Sequence, residues 1–225
     1  IPAALGILAL QINAPDRAGA FGFQRRHIGE LLQRHGDDTR RWGPPFDAHG
    51  DATYFLAANR NKRSIEIDLG SDAGAALVRE LACRADVLIE NYKTGDLERR
   101  GLGPEALLRI HPKLVYASIS GFGSDGPRAQ EPGYDFLAQA MGGLMSVTGP
   151  TETPMKAGVG VADLFTGMHA TVGILAALRH RDRTGQGQHI EVALLDAQLA
   201  MLANVATDAF LSERTPERQG ITGSL

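Results

Sequence analysis

The sequence predicts an α/β protein built on an open, mostly parallel, Rossmann-like sheet with helices on both faces. Three observations predict it. From about residue 64 onward, strand-like and helix-like segments alternate. Residues 64–69, SIEIDL, alternate polar and apolar side chains with period two, as a half-buried strand does. Behind them Ser71 and Asp72 offer helix caps, and Leu77, Val78, Leu81 and Ala82 recur at helical spacing.

The remaining elements follow in order. Residues 86–90, DVLIE, are a short apolar run between polar ones and predict a buried strand. Pro104 suits the first turn of a helix reaching Ile110, and residues 113–119 read as the next strand. A loop rich in Gly and Pro occupies 120–133, a helix is expected over 135–144, and 149–154 form a turn. The clearest helix spans about 162–179, with Leu164, Met168, Val172, Leu175 and Leu178 on one face as its expected apolar stripe. After a turn at 184–187, residues 189–192 predict a strand and 194–211 a single final helix rich in Ala and Leu. The first 35 residues do not fit this rhythm, and nothing in them predicts a convincing core strand.

Bulk properties exclude several classes. The 225 residues are enough for one large domain or two small ones, with 43% hydrophobic and 22% charged residues. A net charge of −3 carries no basic footprint, so no nucleic-acid partner is expected. The single cysteine, Cys83, cannot form an internal disulfide, which fits a reducing, cytoplasmic compartment; it is expected to be a small buried side chain near a helix end. No run of about 18 apolar residues is evident, so no membrane span is expected. Ile1 to Leu10 is apolar, but it lacks a basic leader and an initial Met, so it is read as a trimmed start and not as a signal segment.

One motif is tempting. Gly121-Phe122-Gly123-Ser124-Asp125-Gly126 has G-x-G-x-x-G spacing after an expected strand. Pro132 and Gly133 stop any helix behind it within about one turn, so the glycines are read as serving a loop. The seven histidines are scattered, without a His-x-x-x-His pair or a second cysteine, so no metal site is expected.

Read together, several blocks resemble class III (family III) CoA-transferases, the CaiB/BaiF type. They are GDDTRRWGPP at 36–45, NRNKRS at 59–64, DVLIENY at 86–92, GLGP at 101–104, SISGFG at 118–123, PGYD at 132–135, GVGVADLFTG at 158–167 and TGQGQ at 184–188. The register holds over roughly residues 36–215. It is nearest in look to members that use succinyl-CoA with dicarboxylates such as glutarate.

The resemblance implies transfer of CoA from an acyl-CoA thioester to a carboxylic acid through a covalent aspartyl intermediate. CoA is then a substrate, and no permanently bound cofactor is implied. The matching aspartate is Asp163, in the first turn of the helix from about 162. Orphan N–H groups and the helix dipole there are expected to favour its charged form. Standing alone, an acidic residue at a helix start is ordinarily only favourable electrostatics. Gly158, Gly160 and Gly167 are expected to leave room for a thioester.

Tyr134 and Asp135 match a pair beside the family's active site. Ile67, Asn91, Tyr92 and Arg99 match its CoA contacts, with the bland alternatives that Tyr92 is packing and Arg99 a solvated charge. The related α-methylacyl-CoA racemases place His where Tyr134 stands, since racemisation needs two acid/base groups. A racemase-like enzyme and an inactive fragment remain the alternatives.

Two departures from the family pattern shape the expected organisation. Residues 1–35 form an atypical N-terminal segment, open to a frame error, a foreign start or divergence. Residues 36–225 form the large CoA-binding α/β domain, truncated, with the smaller C-terminal domain absent and the sheet incomplete. The full-length parent is expected to be an interlocked homodimer, and the exposed apolar surface left here predicts poor solubility.

Overall fold

The computed structural model describes residues 7–10, 28–32, 37–59, 62–150 and 152–218. Among them, strands β1 (Ile7–Leu10), β2 (Ile28–Leu32), β3 (Arg63–Glu66), β4 (Val87–Glu90), β5 (Val115–Ser120) and β6 (His189–Ala193) form one sheet in the order β3-β2-β1-β4-β5-β6. The pairs β1–β2, β1–β4, β2–β3 and β4–β5 are parallel. The order reverses between β1 and β4, and in open sheets of this kind ligands gather at the carboxyl ends of the strands beside that reversal. The sheet is thus open and parallel, as expected.

The expectation that nothing before residue 36 makes a core strand is overturned. β1 lies between β2 and β4, in the middle of the sheet. Its sequence, ILAL, is a continuous apolar run without alternation, the usual signature of an interior parallel strand. In β2, IGELL, a glycine and a glutamate hide the period.

The chain divides into two compact units, Ile1–Ile119 with Thr171–Glu191, and Ser120–Ala170 with Val192–Leu225. In the first, α1 (Thr53–Ala58) is short and α2 (Asp72–Ala82) is capped by Ser71, whose hydroxyl accepts the Gly74 N–H at 3.0 Å. Gly74 is required there, because a Cβ on it would lie 1.9 Å from the Asp68 carbonyl oxygen. α2 therefore buries Ala75, Val78 and Ala82 and leaves Leu77 exposed. α3 (Pro104–Ile110) begins at proline and buries Leu107.

Both helices share a core with Leu88 of β4 and Tyr116 of β5. The other face of these strands, Val87, Ile89, Val115 and Ala117, packs on Ile174, Ala177 and Leu178 of the long helix introduced below. Helices thus cover both faces, each claiming alternate residues of the same strands. Cys83 is exposed, contrary to expectation: as the residue following α2 it lies one step past the buried Ala82.

In the second unit the expected helix over 135–144 stops early. α4 (Asp135–Met141) ends at Gly142, and Gly143, at φ 85°, turns the chain into α5 (Leu144–Val147). The single final helix is also two: α7 (Leu194–Met201) and α8 (Asn204–Ser212) meet at 81°. The break falls at Ala203, held at φ 49° after the 3₁₀-type bond from its N–H to the Ala200 carbonyl, where no Gly or Pro signals it.

The long helix α6 (Val161–Thr184) exceeds its expected length, and of its expected core stripe only Leu178 is buried. Leu164, Met168, Val172 and Leu175 are 57–62% exposed, while Ala162, Thr166, Ala170, Ile174, Ala177 and Leu178 are buried. The inner face is small from Ala162 to Ala170, and Ile174 and Leu178 fill it where the helix meets the sheet. Where no membrane span was expected, α6 is long and apolar enough by length and composition to cross a bilayer. Here its C-terminal half lies on the sheet, and Arg181 is ion-paired to Asp86 at 2.8 Å.

Candidate active site

The second unit builds a site around two carboxyl groups. Asp135 is the first residue of α4, and its Oδ1 accepts two backbone N–H groups from the start of α6: Ala162 at 2.8 Å and Asp163 at 3.3 Å. It caps the helix that carries Asp163, filling the role an N-terminal Ser, Thr, Asp or Asn plays from within the chain. Its other oxygen accepts from Gln139 Nε2 at 2.6 Å, one helical turn along α4. Gln139 is fully buried, and its Oε1 accepts the Ala157 N–H at 2.8 Å. One carboxamide thereby ties Asp135 to the segment leading into α6.

Asp163 is partly buried on the first turn of α6. A methyl group placed on Gly160 would sit 3.5 Å from Asp135 Oδ1 and 3.6 Å from Asp163 Oδ2, so both carboxyl groups border one small space. At Gly158 an added Cβ would meet nothing within 4 Å. Gly158 thus stands in open space, and at Gly160 a methyl group would be in ordinary contact with both carboxyl groups.

The electrostatics differ from expectation. Burial, and then the charge of Asp135, push the Asp163 carboxyl from 3.8 up to about 7. Free helix-end N–H groups were expected to hold it ionised. Instead Asp135 takes the N–H groups of Ala162 and Asp163, and the N–H of Leu164 bonds the Gly160 carbonyl at 3.0 Å. A carboxylate with a raised pKa is the more basic and more reactive nucleophile once ionised.

Tyr134 precedes Asp135 at the N-cap position of α4 and is partly buried. The other four sequence-selected residues lie in the first unit. Asn91 and Tyr92 follow directly on β4, at the carboxyl end of a strand beside the order reversal. Tyr92 is buried in the same apolar cluster as Ile67, and burial raises its phenol well above the usual tyrosine range. Arg99 sits on a short 3₁₀ turn, Glu98–Arg100, is largely exposed and is ion-paired with Asp96.

Sequence reasoning missed Gln139, although its i+4 spacing from Asp135 is the signal that finds it. It also passed over Glu90, which is buried beneath the Asn91–Tyr92 turn. The glycines of the Gly121–Gly126 motif do serve a loop: no helix starts between Gly121 and Asp135, and Gly121 and Gly133 meet so closely that a Cβ on Gly121 would lie 2.5 Å from Gly133 Cα.

The sheet is doubly wound α/β, and the second unit sets a glycine-flanked carboxyl group in the first turn of a long helix. The chain belongs to CoA-transferase family III, whose model matches residues 31–224. It is 52% identical over 191 residues to the succinate–glutarate CoA-transferase of Agrobacterium fabrum, covering 82% of this chain and 48% of that protein. It is 45% identical over 217 residues to the succinyl-CoA:glutarate CoA-transferase of Mus musculus, covering 96% of this chain and 46% of that one. Among solved structures, a CaiB/BaiF family protein from Brucella suis superposes with a TM-score of 0.84 at 42% identity, over 96% of this chain and 59% of that chain. The chain spans about half the length of the curated relatives it matches.

Proposed function

We propose that the intact protein transfers CoA from an acyl-CoA thioester, succinyl-CoA foremost, to a carboxylic acid such as glutarate, and that Asp163 is its nucleophile. The names of the relatives support the substrate class. The observation that carries the residue assignment is the placement of Asp163 Oδ2 beside Gly160, in a space bordered by a second carboxyl group, on a helix that this second group caps.

The chemistry balances as follows. Ionised Asp163 attacks the thioester carbonyl; the C–S bond breaks, and CoA leaves as thiolate with an acyl–aspartyl anhydride behind it. The thiolate attacks the aspartyl carbonyl, giving an aspartyl–CoA thioester and the free donor acid. The acceptor carboxylate attacks that thioester and releases the thiolate again. Finally the thiolate takes the new acyl group, and Asp163 returns as carboxylate. No proton, oxidant or water is consumed. Holding the partners in reach supplies much of the rate, since a carboxylate is a weak nucleophile.

On this reading Asp135 and Tyr134 orient the acyl carboxylate, while Asn91, Tyr92, Arg99 and Ile67 form the CoA end. The enzyme acts as a homodimer in the cytoplasm; both of these features rest on the family resemblance. The test is exchange of labelled CoA between succinyl-CoA and glutarate by the intact protein and by Asp163→Ala. Exchange is expected to fall at least about 10³-fold. Mass spectrometry of the wild type with acyl-CoA should show the adduct on the peptide containing Asp163. Undiminished exchange in Asp163→Ala refutes the assignment, and deuterium wash-in at the α-carbon without transfer points to racemisation instead.

A further inference from the structure

Glu90 closes β4 and is buried, and the transfer chemistry leaves it without a task. Its Oε2 accepts the backbone N–H of Tyr92 at 2.7 Å. Across the parallel register its partner is Ser118 of β5, whose hydroxyl stands beside the same carboxyl group and favours its charged form. Ser118 Oγ lies 2.9 Å from Nε2 of His189, the first residue of β6. The His189 ring stands edge-on to Tyr116, with centroids 5.5 Å apart.

Strand alternation places Glu90 and Ser118 on the face that also carries Leu88 and Tyr116. The row runs from a buried carboxyl group, through a partly buried hydroxyl, to an exposed imidazole.

The hydrogen count fixes its polarity. A serine hydroxyl has one hydrogen, so when Ser118 donates to ionised Glu90 it accepts from His189, which then carries its proton on Nε2. Burial holds the Glu90 carboxyl up at about 7, opposed by the Ser118 and Tyr92 bonds, with Glu98 and Glu191 adding repulsion. Burial lowers His189, opposed by the same Glu191 and Glu98. Buried polar groups this completely bonded rigidify what they hold, and what Glu90 holds is the backbone of Tyr92.

We propose that Glu90, Ser118 and His189 form a positioning row that fixes the Asn91–Tyr92 turn for CoA. This rests on the reading above that the turn meets CoA. None of the three touches the reacting atoms, so their effect is on CoA binding and not on the acyl-transfer steps.

The experiment uses the intact protein with Glu90→Gln, Ser118→Ala and Ser118→Thr. It measures amide hydrogen exchange at Tyr92, CoA affinity by calorimetry, and KM and kcat for acyl-CoA. Glu90→Gln and Ser118→Ala are expected to speed Tyr92 amide exchange and to raise acyl-CoA KM about tenfold, the effect of one hydrogen bond to a charged group, with kcat within about threefold. Ser118→Thr keeps the hydroxyl and should restore both. If Glu90→Gln does not fold, the Ser118 pair decides.

Wild-type exchange at Tyr92 and wild-type KM in Ser118→Ala overturn the proposal, as does a fall in kcat at constant KM. A wild-type protein that binds no CoA overturns the CoA reading itself. In that case Tyr92 exchange alone judges the row: faster exchange in Ser118→Ala upholds it, and unchanged exchange removes it.

Discussion

Asp135 accepts the backbone N–H of Asp163 at 3.3 Å while its charge helps to raise the carboxyl group of that same residue. One side chain thus serves as helix cap and as electrostatic neighbour, and two substitutions separate the roles. Asp135→Asn keeps an oxygen for the cap and removes the charge. Burial is the larger cause of the Asp163 shift, so its midpoint is expected to fall only partway from about 7 toward 3.8, as read from the pH–rate profile of exchange. Asp135→Ala removes the cap as well and should cost about 1–2 kcal/mol in a denaturant titration.

The raised pKa of Asp163 sets two pH dependences. Exchange requires the ionised carboxylate, so kcat/KM is expected to rise with pH and level off above about 7. Stability runs the other way. Between the ordinary value of 3.8 and about 7 the folded state keeps a proton that the unfolded chain has lost, so this contribution to stability is full below the window and falls as pH climbs through it. Glu90, raised from 4.5 to about 7, adds in the same sense. Asp163→Asn should therefore stabilise the fold by about 1–2 kcal/mol at pH 8, with the gain vanishing near pH 4. Unfolding midpoints of the two proteins at both pH values check this.

Gln139 is the keystone of the site's backbone. Gln139→Leu fits the volume but leaves the Ala157 N–H and Asp135 Oδ2 without this partner inside the protein. The expected loss is about 2–3 kcal/mol by chemical unfolding. Exchange should fall further than the unfolded fraction explains, because Asp135 no longer has a fixed place.

Glycines of one sequence block and the next should separate sharply. A Cβ on Gly133 would lie 2.1 Å from Gly121 Cα, backbone against backbone, so Gly133→Ala is expected to cost about 3 kcal/mol or to prevent folding. Gly158→Ala meets nothing within 4 Å and should stay within about 0.5 kcal/mol of wild type. Thermal melts of the pair, made side by side, decide the point.

The sequence by itself determined the alternation of strand and helix from residue 64 onward, the cap at Ser71, the helix start at Pro104, and the block register that marks the family. These are local or one-dimensional signals: periodicity, turn chemistry and spacing survive in a string of letters. Tertiary structure decided the rest. It placed ILAL at the centre of the sheet, which a continuous apolar run of four residues, with no alternation to read, does not announce. It turned Leu164, Met168, Val172 and Leu175 of α6 outward, since the helix has two apolar faces and only packing chooses between them. It also reversed the expected charge preference of Asp163. Burial is the larger cause and the charge of Asp135, 28 positions earlier in the chain, the second; neither is legible along the sequence, nor is the capture of two helix-end N–H groups by that same residue.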